Sequence, residues 1–224
     1  MDLRWIIAFS LFYIILNQPD FRPLCRYGVT QIKLVSVFVD YLWNRPQHFQ
    51  RKGDVAKDER DVTDQIIIIT GSNQGIGKQT ALELAKRGAR VIMACRNLHR
   101  AEMAKQDILQ DVPNAKLETL QLDLADSKSV REFSVIIHER FPHIDVLINN
   151  AGVSRNDQHL WRTKDGFEEQ MGVNYLNMFL LTLSLLDLLG KARKSRIVTV
   201  ASMSFQMAQL DVDNLNLDCG LEKS

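Results

Sequence analysis

The residues best suited to chemistry form the run Thr70-Gly71-Ser72-Asn73-Gln74-Gly75-Ile76-Gly77. It follows the apolar segment Ile66 to Ile69 and leads into the helical pattern Thr80 to Ala85. A strand, a glycine-rich turn and a helix N-terminus in that order make a cradle for a dinucleotide pyrophosphate. Gly71 permits the tight turn, Gly75 lets the backbone approach phosphates without an intervening Cβ, and Gly77 lets the helix pack closely on the strand. Unpaired N–H groups and the positive end of the helix dipole then face the anion.

The end of the next apolar segment decides which nicotinamide dinucleotide fits. There the chain reads Ala94-Cys95-Arg96-Asn97, with no Asp or Glu to accept hydrogen bonds from the ribose hydroxyls. A carboxylate repels a 2′-phosphate, whereas a guanidinium attracts it and pairs with it bidentately. NADP(H) is therefore expected in preference to NAD(H).

Further on stand Asp123, then Asn149-Asn150-Ala151-Gly152, then Asn174, then Ser202. With the Thr-Gly-x-x-x-Gly-x-Gly turn ahead of them, these motifs resemble the short-chain dehydrogenase/reductase family. The flanking segments Gly75-Ile76-Gly77-Lys78, Ala94-Cys95-Arg96, Asp165-Gly166-Phe167-Glu168, Gly172-Val173-Asn174 and Arg196-Ile197-Val198-Thr199-Val200 are similar to its membrane-associated retinol dehydrogenase branch. The resemblance runs from about Asp64 to about Leu217 and says nothing of the N-terminal segment. It implies that Gly71, Ser72, Asn73, Gly75, Ile76, Gly77 and Arg96 hold the cofactor. It further implies that Asp123 receives the adenine amino group and that Asn150, Ala151 and Gly152 line the adenosine ribose wall. Asn149 has an alternative, structural role in holding the strand-end backbone together.

The same resemblance implies an oxidoreductase acting on an alcohol/carbonyl pair, retinol/retinal-like or otherwise lipophilic, through an Asn, a Ser, a Tyr and a Lys. Ser202 matches the Ser that orients the substrate oxygen, with Ser204 its nearest rival, and Asn174 matches the Asn that helps hold a relay water. The Tyr-x-x-x-Lys pair expected after Ser202 is not found in residues 203–224, and Tyr175 has Phe179, not Lys, four residues on. The chain is therefore expected to be truncated relative to the family and inactive as it stands. The alternative is a non-catalytic cofactor-binding or interaction protein, pairing as a homo- or hetero-dimer with a full-length relative.

These groups need a scaffold, and the pattern from Gln65 onward supplies one. Apolar segments predict strands at about 66–70, 90–95, 117–122, 145–149 and 196–201, with helices near 75–87, 98–110, 127–140 and 166–190. Alternation of this kind implies a doubly wound α/β fold, Rossmann-like, with a parallel sheet covered on both faces and the ligand at the carboxyl ends of the strands. The sheet is expected to be incomplete on its C-terminal side. The dinucleotide-binding domain spans 65–224, behind a charged linker at 44–64 and a hydrophobic segment at 1–43.

In that N-terminal segment, Trp5 to Leu16 is almost wholly apolar. As a helix it reaches only about 18 Å, short of the roughly 30 Å hydrocarbon core. A signal-peptide core, an uncleaved anchor and a partly inserted segment all fit, as does a helix packed on the protein's own core. An uncleaved anchor is favoured because no small-x-small cleavage site follows. Ile32 to Trp43 predicts an amphipathic helix that either lies among lipid headgroups or covers the domain edge. A membrane partner is expected, endoplasmic reticulum first and mitochondrion second.

Composition excludes other classes. A formal net charge of +1 over 224 residues, with no basic stripe, argues against nucleic acid. Three dispersed cysteines and no His-Glu-x-x-His pattern give neither a disulfide framework nor a metal site. Cys95 reads as a small core residue, and His138 and His143 as surface groups.

Overall fold

The computed structural model describes residues 62–155, 159–202 and 212–217. Five parallel strands, β1 (Ile66–Thr70), β2 (Arg90–Cys95), β3 (Lys116–Gln121), β4 (Val146–Asn149) and β5 (Arg196–Thr199), form one sheet in the order β3-β2-β1-β4-β5. Helices α1 (Gly75–Lys86), α2 (Leu98–Asp111) and α3 (Ser127–Arg140) follow the first three strands, and α4 (Glu169–Met171), α5 (Asn177–Ser184) and α6 (Leu186–Lys191) follow the fourth. The order of the strands reverses between β1 and β4, which opens a crevice at their carboxyl ends.

β1 reads Ile-Ile-Ile-Ile-Thr because both of its faces are covered, and all five residues are buried. Ile67 and Ile69 face Ala81, Ala85 and Ile108, so α1 and α2 cover one side of the sheet. Ile66 and Ile68 face Val130, Phe133, Ile137 and Leu181, so α3 and α5 cover the other. Each fully buried Ile or Phe contributes about 1.5–3 kcal/mol of transfer free energy. At the β5 edge the cover thins: Ile197 and Val198, on opposite faces of the strand, are 44% and 43% exposed.

Several boundaries differ from the sequence expectation. β3 begins one residue earlier, and β5 ends at Thr199 although the Val200 amide still reaches the Asn149 carbonyl at 2.9 Å. The largest departure is the single helix expected over 166–190. Residues 161–169 instead fold back on themselves: Glu169 N–H donates to the Trp161 carbonyl, and Gly166 turns the chain with φ +85°. The Glu168 carboxylate then caps α4 through the Gln170 and Met171 amides. A π turn over Gly172–Leu176 follows, and Asn177 begins α5 with its side chain donating to the Leu124 carbonyl at 2.8 Å.

The anchor segment 1–43 lies outside the described residues, as does most of the linker. Its last residues are exposed yet bonded to the domain: the Asp64 amide donates to the Gly88 carbonyl at 3.0 Å, and a Cβ on Gly88 would stand 2.8 Å from Thr63 Oγ1. No helix among the described residues is long and apolar enough to cross a membrane.

His138 is not merely a surface group, because it ties α3 to α6. Its ring faces the Ser134 carbonyl at 2.7 Å and Asp187 at 2.9 Å. With an acceptor opposite each nitrogen the imidazolium is favoured, so the Ser134 carbonyl and then Asp187 raise its pKa, opposed by burial and Lys191. A raised folded pKa stabilises fully below the unfolded value of 6.5 and loses that contribution as pH rises through the folded value. The pair is partly exposed, so the effect is modest. Urea midpoints of the wild type and His138→Gln are expected to differ at about pH 5.5 and to converge by about pH 8.5. A gap that does not narrow with pH contradicts this assignment.

Candidate functional site

The glycine-rich turn gives each glycine a separate steric reason. Gly71 has φ +66°, and a Cβ there would meet Ala151 Cα at 2.9 Å. Gly75 has φ +56° and open space where its Cβ would point. Gly77 packs on the turn and on Asn150, not on the strand: its Cβ would stand 2.5 Å from Asn150 Nδ2 and 2.6 Å from the Gly71 carbonyl oxygen. Gln74 precedes α1 without a side-chain cap, whereas Asn97 and Asp126 each cap their own helix. The first amides of α1 are thus left facing the crevice.

Thr70 and Asn150 lock the two central strand ends together. Thr70 Oγ1 accepts the Asn150 and Ala151 amides, each at 2.9 Å, while Asn150 Nδ2 donates to the Thr70 carbonyl at 2.9 Å and the Gly71 carbonyl at 3.3 Å. The role of joining strand ends therefore falls to Asn150. Asn149 instead donates to Thr182 Oγ1 on α5 at 3.0 Å, with its buried Oδ1 lacking a hydrogen-bond partner among the described residues.

The result is a cleft of about 370 Å³ at the crevice. One wall is the turn, with Asn73, Gly75, Ile76 and Gly77; Ile76 is 68% exposed and stands over the opening. Arg96 and Arg100 stand at the end of β2, and among the described residues neither guanidinium has a carboxylate partner. Next come Asp123 between Leu122 and Leu124, and at the far end Ala151, Gly152, Val153 and Val173. Asp123 accepts the Ala125 amide at 2.9 Å, so its carboxylate is held in place by its own loop.

Not every expected residue meets there. Ser72 is fully buried, its hydroxyl donating to the Ile69 carbonyl at 3.1 Å and lying 3.6 Å from Cys95 Sγ, whose pKa burial pushes up. Only the Ser72 backbone remains for the turn. Asn174 lies behind the cleft wall with its carboxamide committed: Oδ1 accepts the Val153 amide and Nδ2 donates to the Val153 carbonyl, both at 2.8 Å. Ser202 is exposed beyond β5 and outside the cleft lining, and Ser204 lies outside the described residues. Arg100 was not anticipated. Asn97 caps α2 through the Arg100 amide at 3.0 Å, which places the first turn of that helix over the strand end.

Residues 65–212 match the family model described as short chain dehydrogenase. The chain belongs to the short-chain dehydrogenase family. Its motifs place it among the retinol dehydrogenase-like members: it is 45% identical over 164 residues to human retinol dehydrogenase 13, covering 73% of this chain and 49% of that protein. The chain thus spans about half the length of the curated relatives it matches. Among solved structures, an uncharacterized protein from Mycobacterium paratuberculosis superposes with a TM-score of 0.63 at 39% identity, over 73% of this chain and 55% of that one. A short chain dehydrogenase from Escherichia coli CFT073, complexed with NADPH, superposes with a TM-score of 0.57 at 26% identity, over 67% of this chain and 64% of that one. The cleft of this dehydrogenase domain fits a nicotinamide dinucleotide by its own geometry. Three glycines leave room for phosphates, the first amides of α1 have no side-chain cap, and two arginines without a carboxylate partner among the described residues stand at the end of β2.

Proposed function

We propose that this chain carries the cofactor-binding half of an NADP(H)-dependent oxidoreductase that interconverts a lipophilic alcohol and its carbonyl, retinol/retinal in kind. The observation that carries the reading is the pairing of the glycine turn with Arg96 and Arg100 at the end of β2. Bound NADP(H) supplies the hydride donor or acceptor. The α1 amides hold its pyrophosphate, Arg96 and Arg100 neutralise the 2′-phosphate, and Asp123 between its leucines takes the adenine. Asn150, Ala151 and Gly152 line the adenosine ribose, and Val153 continues that wall toward the reacting end. Ser202 orients the substrate oxygen by a hydroxyl hydrogen bond, and Asn174 fixes the wall through Val153. Resemblance to retinol dehydrogenases supports the lipophilic substrate and a membrane location.

Titration of the 224-residue chain with NADPH and NADH tests the cofactor reading, with tighter binding of NADPH expected. A longer form bearing a Tyr-x-x-x-Lys helix after Ser202 is expected to reduce all-trans-retinal. The 224-residue chain, without that proton donor, is expected to fall below it by about 10²- to 10⁴-fold or more. A second reading, a non-catalytic cofactor-binding protein that pairs with a full-length relative, is favoured by the half-exposed apolar residues of β5. Equal turnover by the two forms would remove the proposed role of the Tyr-Lys helix.

A further inference from the structure

We infer that Arg155, Glu169 and Trp161 form a clamp that positions the far wall of the cleft, and that through Asn174 it sets the affinity for the nicotinamide end of the cofactor. This inference rests on the cofactor reading above and deepens it.

The clamp is built from residues that the cofactor does not need to touch. Arg155 donates from both Nε and Nη2 to the two carboxylate oxygens of Glu169, the second contact at 3.1 Å. Glu169 is only 7% exposed while the Arg155 side chain is 39% exposed, so this is a bidentate pair with a buried carboxylate and a partly exposed guanidinium side chain. The indole of Trp161 lies over the guanidinium, 4.3 Å from its carbon to the ring centroid, and His159 packs edge-on against that indole at 4.6 Å. The Glu169 amide also donates to the Trp161 carbonyl at 2.9 Å. Two points of the segment after β4, Arg155 and Trp161, are thereby fastened to the start of α4.

Two residues before Arg155, the same segment is fastened again. Val153 exchanges both backbone hydrogen bonds with the Asn174 carboxamide, and Asn174 sits in the π turn that continues from α4. The ion pair and the amide pair therefore act as two rungs between one loop and one helical segment. Next to the rungs Gly152, Val153 and Val173 line the cleft, and a Cβ on Gly152 would already touch Asn174 Oδ1 at 3.4 Å. An insertion of one residue into the helix aims Asn174 outward at this loop, a use to which π turns are often put. Loosening the lower rung moves the wall, whereas the adenosine end at Arg96 and Asp123 lies across the cleft and stays put.

The two ends of the ligand can be read separately. NADPH spans the whole cleft, whereas adenosine 2′,5′-bisphosphate occupies only the adenosine end, so the pair separates wall movement from general damage. Glu169→Gln and Trp161→Leu in the 224-residue chain are each expected to weaken NADPH roughly tenfold while bisphosphate affinity stays within about twofold. Arg155→Lys keeps the charge but loses the fork and is expected to fall between them and the wild type. Should Glu169→Gln fail to fold, the half-exposed Trp161 carries the test. Loss of both ligands to the same extent, or of neither, overturns the clamp. A wild-type chain that binds neither ligand overturns the cofactor reading and the clamp with it.

Discussion

Gly77→Ala is expected to remove most of the cofactor affinity, and Gly77→Val all that can be measured. A Cβ at this position meets Asn150 Nδ2 at 2.5 Å and the Gly71 carbonyl oxygen at 2.6 Å, both well inside contact distance. Neither neighbour can yield freely. Asn150 Nδ2 is held by the Thr70 and Gly71 carbonyls, and the Gly71 oxygen belongs to a turn whose φ is +66°. Relief must come from moving the turn, which carries the amides aimed at the phosphates. Overpacking of this kind costs about 1–3 kcal/mol, or roughly five- to 150-fold in affinity if it falls on the bound state. Gly75→Ala is the informative companion. Its Cβ has open space, so folding loses only about 1 kcal/mol to the left-handed backbone, yet the methyl group enters the volume assigned to the pyrophosphate. Calorimetric titration with NADPH beside thermal unfolding separates the two effects. Gly75→Ala that binds NADPH as well as the wild type would place the phosphates elsewhere.

The same turn shows how far the sequence could be read. Four consecutive isoleucines before Thr-Gly announce a strand buried on both faces, and the positions of β1, β2, α1, α2 and α3 follow from short-range pattern within a residue or two. Local pattern fails where a distant partner decides. Asn177 is explained by Leu124, whose carbonyl its side chain caps from 53 residues away, with Asp165 3.4 Å from the same nitrogen. The region 166–190 is apolar enough for one helix, but Glu168 caps a new start and Gly166 turns the chain, so three shorter α-helices and a π turn result. Ser72 lies inside the motif and yet faces the core, because the register of β1 sends its hydroxyl back to Ile69. Arg100 was legible in principle. Asn97 is a strong N-cap residue, and the residue three positions after a cap lies in the first turn, over the end of the preceding strand.

Arg100 raises the expected size of the coenzyme preference. Arg96→Asp is expected to invert it, with NADPH weakened and NADH strengthened in the same protein. One charge-assisted hydrogen bond to the 2′-phosphate is worth about 1.5–3 kcal/mol, so loss of the guanidinium alone costs roughly 10- to 150-fold. The new carboxylate adds repulsion toward the phosphate and, in NADH, accepts from the free ribose hydroxyls. Arg100→Ala removes a second cation without adding a repulsive group, so a smaller loss for NADPH and none for NADH are expected. The two guanidinia face one phosphate and are not independent, so the double variant is expected to lose less than the sum of the single losses. Both arginines lack a carboxylate partner among the described residues, and thermal unfolding is expected to stay close to that of the wild type. Lys78, outside the cleft lining, is already paired with Asp107 on α2 at 2.7 Å and is expected to matter less. The measurement is a pair of titrations, NADPH and NADH, across wild type, Arg96→Asp, Arg100→Ala and the double variant. A ratio of affinities that Arg96→Asp leaves unchanged would mean that the end of β2 does not read the 2′-position.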